Sequence, residues 1–96
     1  MRTLVKKVFI VEDKFAIKGK GIVITGVPEG HSLKVYEGDE IYIKQKLSKD
    51  IRTTVLKLEL FRNCWSPHKP RNLGLLIPKQ IGIENVELKS VVFIDV

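Results

Sequence analysis

The stretch FAIKGKGIVITG, Phe15 to Gly26, carries three of the chain's seven glycines around a β-branched run, with Lys18 and Lys20 beside the first two. Ile22, Val23, Ile24 and Thr25 are stiff at χ1 and favour a pleated, extended backbone over a helix. Gly19 and Gly21 punctuate a turn before that strand. The spacing does not fit a phosphate-binding loop: G-x-x-x-x-G-K-[ST] is absent, and these glycines do not follow a strand and open a helix. The stretch reads as turn and strand.

The same alternation continues outward in both directions. Short runs rich in Val, Ile and Thr occupy Lys6–Glu12 (KKVFIVE), Gly21–Val27 (GIVITGV), Glu40–Lys46 (EIYIKQK), Arg52–Phe61 (RTTVLKLELF), Asn72–Pro78 (NLGLLIP) and Ser90–Val96 (SVVFIDV). Turn formers separate them at Pro28-Glu29-Gly30, Glu37-Gly38-Asp39, Ser66-Pro67 and Lys69-Pro70. No long window holds a helical period, and QIGIENVELK, interrupted by Gly82, reads as one helical turn or a loop. Six short strands with regular turns predict an all-β sandwich or barrel, in a single domain spanning residues 1–96. In the long fourth run, Leu56, Leu58 and Leu60 share one parity, which is expected to face the core. Val55, Lys57, Glu59 and Phe61 share the other, and fit either a binding groove or a solvated strand face.

Lys and Arg number 17 against 11 Asp and Glu, a formal charge of +6. That balance suits an anionic partner such as RNA, and serves solubility equally well. The single cysteine, Cys64, rules out an intramolecular disulfide; with no signal-peptide core in the sequence, a cytoplasmic location is expected. The longest apolar runs are strand-sized, well short of the roughly 18–20 residues of a membrane helix, so a soluble protein is expected. Cys64 lacks a second thiol or a spaced histidine pair for zinc. His31 and His68 are isolated, and Trp65 is either a core plug or an exposed platform. The acidic pairs Glu12-Asp13 and Asp39-Glu40 fall at strand ends, where solvated carboxylates are common. No catalytic residue, metal ligand or cofactor is expected.

Taken in order, VEDKFAIKGKGIVITGVPEG, LKVYEGDEIYI, TTVLKLELFRN and RNLGLLIP resemble the second domain of the elongation-factor-Tu-like translation GTPases. The shared pattern is an acidic strand end before Phe-x-Ile, then Gly-basic-Gly with a β-branched run and Thr-Gly. A Gly-Asp-Glu hairpin, a strand ending Glu-x-Phe-Arg and an Asn-x-Gly-Leu-Leu strand follow it. The resemblance covers about Lys6 to Val96 and implies a closed, six-stranded Greek-key β-barrel, a fold without long open edges. It differs in carrying Lys20 where arginine is usual, Ser90 where a glycine is usual near the last strand, and a basic, proline-containing link at residues 62–71.

In that family this barrel holds the aminoacylated end of tRNA. Carried over residue by residue, the resemblance implies an RNA-binding surface of Glu12, Asp13, Lys20, Glu59, Arg62 and Asn72. The implied function is a non-catalytic module of translation that binds a tRNA acceptor end or ribosomal RNA. The alternative is a protein-interaction module that docks on a separate translational GTPase or another translation protein, or pairs as a homodimer. No counterpart of the family's GTPase domain is present in these residues, so no GTP switch is expected in them, and no membrane partner is expected.

Overall fold

A computed structural model describes residues 5–28, 35–61 and 72–95. The described chain is all-β: β1 (Val5–Ile10), β2 (Asp13–Ile17), β3 (Gly21–Gly26), β4 (Glu40–Lys44), β5 (Ile51–Thr54), β6 (Lys57–Phe61), β7 (Asn72–Ile77) and β8 (Val91–Asp95). These strands form two antiparallel sheets of four, ordered β1-β8-β4-β5 and β2-β3-β7-β6. QIGIENVELK contributes two single 3-10 turns, Lys79–Ile81 and Ile83–Asn85, hinged at Gly82.

Eight strands appear where six runs were expected: the fourth run splits into β5 and β6, and β2 lies beyond the end of the first run, which changes sheet at Glu12. The first leaves β1 at Val11, whose N–H donates to Ser90 O in the first sheet, and Glu12 N–H then donates to Thr25 O in the second. The fourth leaves β5 at Val55, whose N–H donates to Asp39 O, and Leu56 N–H then donates to Leu76 O. An edge strand of one sheet thus continues into an edge strand of the other at both margins. Such sheet-switching bends are how orthogonally packed sheets make corners.

Each corner breaks the alternation of side chains. Val11 is fully buried while Glu12 and Asp13 are both exposed. Val55 is 1% exposed in the core, and Leu56 is 44% exposed beside the exposed Lys57. The expectation that Leu56 shares the core face with Leu58 is therefore corrected: the bend shifts the inward parity from Val55 to Leu58, which packs against the core. Leu60 pairs through its backbone with Leu73.

The core is one cluster from both sheets, with Phe9, Ile24, Ile41, Ile43, Leu75 and Ile77 among its fully buried members. Gly26 explains part of the glycine pattern in the opening stretch. A Cβ at this position would lie 2.3 Å from Ile10 O and 2.6 Å from Phe9 Cδ1, so only glycine lets β3 pass the end of β1. Gly21 makes the same concession to Ile77 O.

The segment between β7 and β8 is held by side chains from both sheets. Lys14 Nζ donates to Ile83 O at 2.9 Å and also to Val86 O. Gln45 Nε2 donates to Lys49 O and Asn85 O, while its Oε1 accepts from Glu87 N–H. The Glu87 carboxylate accepts from the backbone N–H groups of Lys46, Leu47 and Ser48. Ser90 is buried with its hydroxyl donating to Glu87 O.

Candidate functional site

Residues paired directly across antiparallel strands share a sheet face. In the second sheet Asp13 pairs with Thr25, Thr25 with Gly74 and Gly74 with Glu59, forming one row across all four strands. Two residues along each strand, Phe15, Val23, Leu76 and Lys57 form the next row on the same face. The core residues Ile22, Ile24, Leu75 and Ile77 occupy the alternate positions, so these rows lie on the outer face.

A shallow groove runs along that face, lined by Ile17, Lys20, Val23, Lys57, Gly74 and Leu76. Its apolar floor comes from Val23 and Leu76. Gly74, with no side chain, extends the groove toward the Asp13–Glu59 row. Lys20 reaches it from the three-residue turn between β2 and β3, where Lys20 N–H donates to Ile17 O at 3.0 Å and Gly19 takes a φ of 78°. Phe15 and Ile17 stand at the margin, 47% and 41% exposed.

Five of the six residues carried over from the resemblance divide between two ends of this sheet. Glu12 and Asp13 project at the first corner, with Asp13 Oδ1 accepting from Lys14 N–H at 2.9 Å. Glu59 falls on the Asp13 row by register, and Asn72 opens β7 opposite Phe61 at the same end. Lys20 lies at the other end, beyond Ile17, four residues or roughly 13 Å along β2 from Asp13. Arg62 lies outside the described residues, as do His31, Cys64, Trp65 and His68. The groove lies between the acidic end and Lys20.

Lys57 was not among the residues carried over, yet it lines the same groove as Lys20. Its signal was present in the fourth run, where Lys57 shares the parity of Glu59 on the face read as a groove or a solvated surface. The nearby Lys14 is not part of this surface, because its ammonium is spent on the Ile83 and Val86 carbonyls.

Two ammonium groups beside an apolar floor make a site for a planar or apolar moiety carrying a negative charge. Lysine supplies a mobile point charge rather than the bidentate fork of an arginine, so the charge is met without fixed geometry. Among the described residues no group of three His, Cys, Asp or Glu side chains is placed to hold a metal ion. Among the same residues no helix is long and apolar enough to cross a membrane. Neither a protein-family model nor a solved structure matches the chain.

Proposed function

We propose that the chain is a non-catalytic, translation-factor-like β-barrel module that binds RNA, either a tRNA acceptor end or ribosomal RNA, in the cytoplasm. The reading treats β1 with β2, and β5 with β6, as two long strands bent at corners. Eight strands then become six, and the sheet orders join into a ring: first, sixth, third, fourth, fifth, second and back to the first. A closed, six-stranded Greek-key barrel is the architecture that the resemblance implies.

The observation that carries the RNA reading is the groove between Lys20 and Lys57, floored by Val23 and Leu76, on the face that also holds the Asp13 and Glu59 positions. A base or aminoacyl group would lie on the floor, with phosphate oxygens near the lysines. The carboxylate and amide residues at the other end would meet base or ribose hydrogen-bonding groups. The formal charge of +6 adds attraction that does not depend on sequence.

The test is a titration with charged tRNA, uncharged tRNA and an unrelated RNA hairpin, each at low and physiological salt. Preference for charged tRNA that persists at physiological salt is the expected result. Replacing both Lys20 and Lys57 by glutamine should weaken binding and lower the salt slope by about 0.7 per lost phosphate contact. Equal affinity for all three RNAs that vanishes with salt would overturn the reading.

A second reading rests on Phe15 and Ile17, two large apolar side chains exposed next to each other on the same face. In this reading the face docks on a protein, such as a translational GTPase, or on a second copy of the chain. Light scattering and a pull-down with a purified translational GTPase test it. A strict monomer that retains no GTPase would eliminate it.

A further inference from the structure

The opposite sheet carries a row that the proposed RNA groove does not use. Lys7 pairs with Phe93, Phe93 with Tyr42 and Tyr42 with Arg52, so four side chains from four strands share one line. Ile41, Ile43, Val92 and Ile94 fill the alternate, core-facing positions, which places the line on the outer face. With strands about 4.8 Å apart, the row spans roughly 14 Å. Two neighbouring aromatic rings stand between two cations.

The arrangement at one end is already ordered. The Arg52 guanidinium carbon lies 5.4 Å from the centroid of the Tyr42 ring, within cation–π range. Arg52 Nε donates to Glu40 Oε1, and the Tyr42 hydroxyl donates to the same oxygen at 3.1 Å. The guanidinium is therefore held over a ring and tied at its edge, while the Arg52 side chain stays 68% exposed. Phe93 and Tyr42 are half-buried, as rings lying against a sheet are. Lys44, exposed and two residues from Tyr42 on the same face, adds a third cation beside the row. Glu40 and the Asp95 position, each two residues from an aromatic in the other direction, fall by register on the next row, beside Thr54 and Val5.

Unpaired bases stack on aromatic rings and on guanidinium planes, and both are present here on adjacent strands. We infer that the outer face of the sheet β1-β8-β4-β5 is a stacking platform for single-stranded nucleic acid. One base lies on Phe93, its neighbour lies on the Arg52–Tyr42 pair, and the connecting phosphates meet Lys7 and Lys44. This platform is separate from the groove on the other sheet and does not depend on that groove binding RNA.

The test titrates the full chain with fluorescently labelled octamers of uridine and of deoxythymidine, and with an RNA duplex of equal length. At physiological salt at least one single-stranded octamer should bind more tightly than the duplex. Its amide NMR perturbations should concentrate on β4 and β8. Phe93→Leu keeps an apolar side chain on the sheet and should weaken octamer binding about ten-fold. Arg52→Gln alters an exposed side chain away from the core and should also weaken binding, which covers the case in which Phe93→Leu fails to fold. The inference is overturned by any of three results: no binding of either octamer, unchanged affinity in Arg52→Gln and in a folded Phe93→Leu, or perturbations confined to β2, β3, β6 and β7. The last result would leave the groove reading standing while removing the platform.

Discussion

Gly19 and Gly26 lie in one stretch but do different physical work. Gly26 gives way to the backbone and side chain at the end of β1, and any Cβ there meets a carbonyl oxygen at 2.3 Å. Gly19 has open space around it and is constrained only by its φ of 78°. Gly19→Ala should therefore cost about 1–2 kcal/mol, the strain of a left-handed residue. Gly26→Ala should cost more, about 3 kcal/mol, because strand packing must shift. Urea denaturation of the two variants checks the order, and equal losses would show that β3 does not pass β1 this closely. The sequence marked both positions as glycine-dependent, but which glycine meets another strand follows from long-range packing alone.

At the scale of the elements, the two corners and the pinned segment before β8 carry the testable content. The sheet switch at Val55 predicts that Val55→Ala loses about 2 kcal/mol through a core cavity, while Leu56→Ala changes stability by no more than about 0.5 kcal/mol. Simple strand alternation predicts the reverse, so thermal melts of the two variants test the bend directly. Glu87 joins the segment before β8 to the loop between β4 and β5. Its hydrogen bond with Ser48, followed by those from the backbone N–H groups of residues 46–48, holds its carboxyl below the usual 4.5 against an opposing contribution from burial. The hydrogen bond from Arg52 does the same for Glu40, again opposed by burial. A folded-state value below the unfolded one gives stability that is complete above about pH 5 and is lost as pH falls through the lowered value. Glu87→Gln should thus be less stable than the parent at pH 7 and show a shallower loss between pH 5 and pH 3, measured by urea unfolding. The acidic pair Glu12-Asp13 was legible in the sequence as a strand end. Its consecutive outward placement, matched by Leu56-Lys57 at the other corner, was not, because a two-residue parity break leaves no compositional trace.

For the molecule as a whole, both sheets share one core cluster, and at each margin one chain segment belongs to both. Neither sheet can lose its inner face without exposing the other's, so unfolding should be a single cooperative transition. Far-ultraviolet circular dichroism and intrinsic fluorescence should give coincident urea curves. Separate midpoints would mean that the sheets open independently. Half of the strand pairings (β1–β8, β3–β7 and β4–β8) join distant segments, so folding should take milliseconds to seconds rather than microseconds. The amino-acid sequence by itself determined the all-β class, the turn at Lys18-Gly19-Lys20 and the excess of positive charge, because β-branching, glycine backbone freedom and net charge are local or additive properties. It also pointed to the mixed face of the fourth run. Only the tertiary structure decided that Lys57 and Lys20 line one groove, that Lys14 is tied to carbonyls instead, and that Lys7, Phe93, Tyr42 and Arg52 form one row. The physical reason is register: which residues from distant strands stand side by side depends on hydrogen-bonded pairing and on where the chain bends between sheets.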